Sequence, residues 1–364
     1  MTKLLNKDKY REEDELGQDE SSLQSEEGFE AREIIVDPGQ GALRIDKFLL
    51  DRIDTSSRNR IQGALKSGLI TVNGVPVKPS YKVMPNDSIK VLWPIDPNYP
   101  TQILPEPMNL NIVYEDADLL IINKPAGLVV HPGVGNYSGT LVNGLAYHVD
   151  QIKSLQNLPG NELQPGLVHR IDKETSGLLV IAKNEQAMYN LAYQFYKHTI
   201  KREYIAVVWG SPDSAEGTIR SYLGRSQQDR KLVTVYPDGD YGKLAITHYK
   251  VLEDMYYVSV VACNLETGRT HQIRVHMQHL GHPVFSDQRY GGNKVVKGTV
   301  YTKYKQFEEN CFELCPRQAL HARSLGFKHP INGQDMYFEC DLPPDMQALI
   351  EKWRNYVAHR KLEH

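Results

Sequence analysis

The stretch GLVHRIDKETSGLLVIAKN, residues 166–184, combines two patterns. Gly177 to Ala182 is an unbroken run of glycine and apolar side chains, the mark of a strand covered on both faces. In front of it stands a polar loop holding His169, Arg170, Asp172, Lys173, Glu174, Thr175 and Ser176. A loop that feeds a buried strand is presented on a rigid support, which is why such loops often carry chemistry. Taken alone, Asp172 reads as a turn or cap residue, because short acidic side chains bond their own backbone.

Similar runs recur from Met108 onward. NIVYED, LLIINK, REYIAVVWG, LAITHYKVL and YVSVVACNLE are short, alternating or wholly apolar, and turn signals separate them. Together they predict an α+β fold: a large, mainly antiparallel mixed sheet with peripheral helices, not a doubly wound one. Nearer the N-terminus, Leu43, Phe48, Leu49 and Ile53 recur at helical spacing. A second helix is expected from an N-cap at Ser56 or Ser57, through Ile61, Ala64 and Leu65, to a stop at Gly68. LITVNGVPV then alternates around Asn73-Gly74, a dipeptide whose tolerance of positive φ suits a tight hairpin. Residues 94–107, PIDPNYPTQILPEP, hold five prolines in fourteen positions and predict a linker. Residues 1–30, polar and acidic, are expected to form a disordered tail.

The net charge of −3 conceals an uneven distribution. Residues 1–30 hold four Lys/Arg against ten Asp/Glu, so the rest of the chain sums to +3. Residues 43–91 hold nine Lys/Arg against four Asp, the balance expected of a phosphate-binding module, although charge alone leaves a solvated basic surface equally open. No apolar run is long enough for a bilayer and the N-terminus has no signal-like segment, so a cytoplasmic protein is expected. Four cysteines at no recurring spacing predict reduced thiols.

The string at 166–184 resembles the motif around the catalytic aspartate of RluA-family RNA pseudouridine synthases, H-R-L-D-x-x-T-S-G-L, with Ile171 in place of Leu. INKPAGLVVHPG (122–133), KREYIAVVWG (201–210), LETGRTHQIRVHM (265–277) and RQALHARSLGFKHP (317–330) resemble further family signatures, in the family's order. Residues 43–91 resemble the alpha-L RNA-binding module that precedes the catalytic domain in RluD-type members, except that Asn86-Asp87 stands where Gly-Asp is usual. The resemblance implies an alpha-L domain over 31–93, a catalytic domain over 108–355, and a tail over 356–364 whose last residues look like the start of an affinity-tag scar.

It also implies the reaction. Pseudouridylation breaks the bond from uracil N1 to the ribose, turns the base and rejoins it through C5. No atom enters or leaves, so no cofactor and no metal are expected. The target must be flipped out of its stack into a pocket that needs an ionised carboxylate, an aromatic platform and a cation to balance the carboxylate. By resemblance, Asp172 is the catalytic carboxylate, acting as nucleophile on the anomeric carbon or as base on the sugar. By the same resemblance Tyr204 in KREYIA is the platform, with a half-buried strand tyrosine as the alternative, and Arg274 in HQIRVH the partner cation, with a surface ion pair as the alternative. Arg170 matches an arginine that enters the RNA stack, with a phosphate contact as the alternative. Arg269 reads as a second phosphate or sugar contact, or as a solvated strand-end side chain. Leu320 reads as a pocket wall, or as plain core. Arg58, Arg60, Lys66, Lys78 and Lys82 are the expected phosphate contacts of the basic module.

Two rival classes are weighed. His271, His276, His279 and His282 crowd one segment and raise a metal hydrolase, but no H-E-x-x-H or paired C-x-x-C accompanies them. A non-catalytic RNA-binding or ribosome-assembly protein would use the basic module without the chemistry, yet Asp172, Tyr204 and Arg274 are all present. The expected partner is RNA, with large-subunit ribosomal RNA ahead of transfer RNA. A monomer without a membrane partner is expected.

Overall fold

The computed structural model describes residues 24–26, 29–53, 58–94, 103–133, 135–149, 166–229, 232–237, 239, 241–298 and 302–362. They fall into two compact units, divided between Tyr99 and Pro100.

In the first unit, strands β1 (Gln24–Glu26), β2 (Phe29–Ile35), β3 (Ile70–Val72), β4 (Val75–Pro76) and β5 (Ser88–Pro94) form an antiparallel sheet in the order β1-β2-β5-β3-β4. Helices α1 (Ile45–Leu50) and α2 (Arg58–Lys66) bury Phe48, Leu49, Ile61 and Leu65 in one cluster with Ile70, Ile89 and Val91. Gly68 ends α2 at φ +73, and Asn73 and Gly74 turn the hairpin at φ +50 and +79. The expected N-cap at Ser56 or Ser57 lies outside the described residues. Asn86 adopts φ +65, the conformation that glycine would supply, so the replacement leaves the turn intact. Its neighbour Asp87 is buried and accepts from the Tyr81 hydroxyl, Met84 N and Asn73 Nδ2, which fastens the turn to the hairpin.

The second unit is built on a ten-stranded sheet. In chain order its strands are β6 (Ile112–Glu115), β7 (Leu119–Lys124), β8 (Ser176–Ala182), β9 (Lys201–Trp209), β10 (Glu216–Arg225), β11 (Val233–Tyr236), β12 (Lys243–Asp254), β13 (Val258–Leu265), β14 (Leu320–Lys328) and β15 (Asp335–Glu339). They lie in the order β11-β10-β12-β13-β9-β14-β8-β7-β6, with β15 on β14. The β14–β8 pair is parallel and every other pair is antiparallel. Around the sheet stand α3 (Leu141–His148), α4 (Glu185–Tyr196), α5 (Gln272–His279), α6 (Thr302–Leu314) and α7 (Pro344–Leu362). Both faces of β8 are covered: Leu179 and Ile181 enter one core with α3, while Leu178, Val180 and Ala182 enter another with α4. This double burial is the reason the run reads as unbroken rather than alternating.

Three segments differ from their expected roles. The first sheet reaches back to Gln24, into the segment expected to be disordered, because strand pairing uses backbone groups that any side-chain composition provides. At the end of the proline-rich segment, Ile103 is buried in the second unit's core and Leu104 O accepts from Asn143 Nδ2, so its last residues are anchored rather than linking. The expected C-terminal tail is largely helix: α7 runs to Leu362, and Tyr356 and Val357 pack with buried Trp353.

Candidate active site

Asp172 opens a turn in which Thr175 N donates to its carbonyl oxygen at 3.1 Å. The turn reading is therefore right for the backbone, while the side chain does something else. Arg274, on α5, donates from Nη1 to Asp172 Oδ2 at 2.8 Å. From its other edge it donates Nε and Nη2 to Asp287 at 2.6 and 2.9 Å. Asp287 is fully buried and also accepts from the backbone N–H groups of Arg289 and Tyr290. One guanidinium thus bridges a buried carboxylate and a partly open one, since Asp172 retains 21% side-chain exposure. Burial works against the Arg274 charge, but the hydrogen bonds and charge of Asp287, then of Asp172, outweigh it and raise its pKa. Its face lies 5.0 Å from the Tyr290 ring centroid, a cation–π contact that further fixes the plane.

The second oxygen, Asp172 Oδ1, faces His271 Nε2 at 3.9 Å, beyond a hydrogen bond. His271 Nδ1 is bonded to the Tyr290 hydroxyl at 2.7 Å, and burial lowers its pKa to about 4, so the imidazole is neutral near pH 7. Asp172 therefore has one oxygen committed to Arg274 and one that faces His271 without a hydrogen bond to it.

Three buried groups hold the loop behind Asp172. Lys124 is completely buried and donates to the carbonyls of Pro125, Leu128 and Lys173 at 2.8–2.9 Å. Burial pushes its pKa down to about 7. Arg317 donates to Glu174 O, to Ser176 Oγ and to both carboxylate oxygens of Asp345. Gln318 Nε2 donates to Thr175 Oγ1. Gly177, at φ +113, lets β14 approach: a Cβ there would lie 2.2 Å from Ala322 O. Residue-by-residue reading missed Lys124, Asp287 and Arg317. A lysine closing the apolar run LLIINK before a proline was a usable signal for the first, whereas Asp287 in HPVFSDQRY carries none.

Tyr204, on β9, is buried with Leu320, Ala322 and Ile171 in the core beside the loop. Burial raises its pKa, with Arg202 opposing and Asp172 adding to the shift, so the phenol keeps its proton and feels the Asp172 charge. Leu320 belongs to the same cluster at 4% exposure, as the core reading expects. Arg170 is exposed beside the site and donates from Nη1 towards His131 Nε2 at 3.2 Å; burial, then Arg170, lowers the His131 pKa to about 4. Arg269 is half-buried, its Nε donating to Leu244 O at 3.0 Å.

In the first unit, Lys66, Lys78 and Lys82 are exposed, and the side chain of Arg60 lies outside the described residues. Arg58 is instead tied to the buried Asp46, which also accepts from Arg44 and Gln62. Burial pushes the Asp46 carboxyl up, but these hydrogen bonds outweigh it and hold it at about 2. Arg58 thereby joins α2 to α1 while its side chain stays 46% exposed.

The crowded histidines do not converge. His276 is buried between Thr247 and Ser221, His282 bonds Trp209 O, and His271 serves Tyr290. Among the described residues, the grouping of metal-type donors lies elsewhere, at Asp116, Asp118 and His329, where Asp116 already accepts from Tyr114, Asp118 N and Leu119 N.

Comparison with known proteins places these features in context. Residues 118–279 match the family model described as RNA pseudouridylate synthase, and residues 43–89 match the S4 domain. A protein of Chlorobaculum parvum called an uncharacterized RNA pseudouridine synthase is 44% identical over 88% of this chain and 96% of its own length. The ribosomal large subunit pseudouridine synthase D of Zymomonas mobilis is 42% identical over 85% of this chain and 93% of its own. Among solved structures, human RNA pseudouridylate synthase domain containing 1 matches at 27% identity and a TM-score of 0.48, covering 67% of this chain and 90% of that one.

Proposed function

This chain belongs to the RNA pseudouridine synthase family, with an S4 domain at its N-terminus, and from that premise we propose that it acts on large-subunit ribosomal RNA, with Asp172 as its catalytic carboxylate. It is an enzyme that isomerises uridines in RNA to pseudouridine. The substrate reading leans on relatives named for the ribosomal large subunit and on the exposed lysines of the S4 domain. We further propose a monomer working in the cytoplasm; among the described residues no helix is long and apolar enough to cross a membrane.

The observation that carries the site assignment is the double salt bridge of Arg274. A carboxylate beside a flipped uridine loses water, and an unpaired charge in such a place would take up a proton. Arg274 pairs with Asp172 through one N–H, and buried Asp287 keeps Arg274 from swinging over the reactive oxygen. Oδ1 then stands ready at the ribose. It either attacks the anomeric carbon, displacing uracil N1, or takes a sugar proton so that the same bond breaks by elimination; both routes draw on this oxygen. The freed uracil turns against Tyr204 and Leu320, and C5 bonds to the anomeric carbon as the bond from that carbon to Asp172 breaks on the first route, or as Asp172 returns its proton to the sugar on the second. The proton that C5 carried ends on N1.

Asp172→Ala tests the reading. Tritium release from 5-tritiated uridine in a large-subunit ribosomal RNA transcript should stop, while equilibrium affinity for that transcript stays within about threefold, because the S4 domain and the basic surface are untouched. Residual isomerisation by this variant would remove Asp172 from its role. A wild-type protein that binds the transcript yet converts none of it would favour an assembly role.

A further inference from the structure

A cleft of about 610 Å³ opens beside Asp172, with His271 forming one of its walls. Arg225, Lys243, Arg269 and Arg289 line it, and none of its lining residues is acidic. Arg225 and Lys243 are exposed on the facing strands β10 and β12. Arg269 is aimed by its Nε bond to Leu244 O, and among the described residues its Nη groups make no hydrogen bond. The floor is bare because of two glycines. A Cβ on Gly242, at φ +95, would lie 2.7 Å from the Leu223 carbonyl, and one on Gly224 would lie 2.7 Å from the Tyr241 ring. Tyr241 therefore rests against the backbone with 47% of its surface open, held edge-on by Tyr236 at 4.9 Å.

Cations that track a backbone, with an aromatic face between them, are what a single-stranded nucleic acid requires, because phosphates bind the charges and any base can stack. We propose that this cleft holds the nucleotide next to the target uridine, its phosphate on Arg225, Lys243 and Arg269 and its base on Tyr241. The proposal rests on the reading of the chain as an RNA-modifying enzyme and adds where the strand runs: over the paired ends of β10 and β12, past His271, to Asp172. A flipped uridine drags its neighbours out of the helix, so a clamp at this distance stabilises the opened strand where the cost of unstacking falls.

The test uses the full chain and two probes: a fluorescent ten-nucleotide oligouridylate for binding, and an unmodified large-subunit ribosomal RNA transcript for turnover. Arg225→Gln with Lys243→Gln should weaken oligouridylate binding by roughly tenfold or more at 0.1 M salt and reduce the slope of log affinity against log salt by about 1.4. On the transcript, KM should rise by a similar factor while kcat stays within twofold. Tyr241→Ala should weaken binding without changing the salt slope. Lys303→Gln with Lys305→Gln, which removes the same charge from α6, should leave affinity and slope unchanged. If the cleft variant matches this control, the proposal is wrong. If the wild type converts no uridine while the cleft variant still loses oligouridylate affinity, the cleft stands and the assigned RNA substrate is what fails.

Discussion

Replacing Asp287 by asparagine leaves its size unchanged and removes one charge and one acceptor oxygen from a buried site. Asp287 accepts four hydrogen bonds, from Arg274 Nε and Nη2 and from the N–H groups of Arg289 and Tyr290. An amide has one oxygen, so whichever way it turns, its NH2 faces donors. Hydrogen bonds to charged groups contribute about 1.5–3 kcal/mol each, and breaking a buried ion pair costs about 3–5 kcal/mol. The unfolding free energy should fall by about that amount, read from the urea midpoint at unchanged slope. Catalysis should fall by a separate route. Arg274 loses the fork that sets its plane, so Nη1 no longer sits at 2.8 Å from Asp172 Oδ2. Misplacement of about 1 Å near a reacting group costs roughly a hundredfold in rate, close to 2.7 kcal/mol. We therefore expect kcat for pseudouridine formation at saturating RNA to drop about a hundredfold with KM nearly unchanged, at a temperature where the variant is fully folded. If kcat stays within threefold in folded protein, Arg274 does not depend on Asp287 for its orientation and the linked-carboxylate argument fails.

Two other perturbations probe the stability of the second unit. Glu308 is 2% exposed on α6 among aromatic residues, its Oε1 unpartnered; burial raises its pKa to about 7, against a partial pull downward from Tyr304. A carboxyl raised in the folded state binds a proton that the unfolded chain has lost, so its stability contribution is present below pH 4.5 and disappears as pH rises through 7. Glu308→Gln should raise the unfolding free energy at pH 8 by about 3 kcal/mol and hardly change it at pH 5; equal effects at the two pH values would contradict the linkage. Gly177→Ala places a Cβ 2.2 Å from Ala322 O and 2.6 Å from Ala322 N, so β8 and β14 must separate. Loss of about 3 kcal/mol or more, or insoluble protein, is expected, and a variant as stable as wild type by urea titration would show that the strands are not locked there.

The parts of this molecule that were legible in the sequence were those in which one local pattern carries one structural meaning. The buried strands β7, β8, β9 and β13 read directly, because apolar runs of that length have few other uses. Strand β10 escaped because Glu216 to Arg225 buries only Ile219, Ser221 and Leu223, and its remaining positions are polar or exposed. Strand β14 escaped because His321 and Ser324 are polar residues satisfied inside the core, His321 by Ser176 and Cys340. At the site, Asp172 and Arg274 were found by resemblance to a family. Asp287 could not be, because its meaning lies in a partner thirteen residues away and, through that partner, in a carboxylate 102 residues further back. Arg58 is the exposed cation that its sequence suggests, but a sequence does not show that buried Asp46 waits beneath it.

The single parallel pair in the sheet bears on when the molecule becomes active. Because β8 and β14 run the same way, the segments entering them lie at one end of the sheet, and Arg317 and Gln318 reach Glu174 and Thr175 across 143 residues. Arg317 is in turn set by Asp345 on the last helix. Contacts this distant in sequence form late, after the loop-closure entropy has been met, and on a growing chain they cannot form before the C-terminal segment has emerged. The loop carrying Asp172 thus has only its Lys124 brace until residues 317–345 have been synthesised, and a nascent fragment that stops short of them lacks two of the three groups that hold this loop.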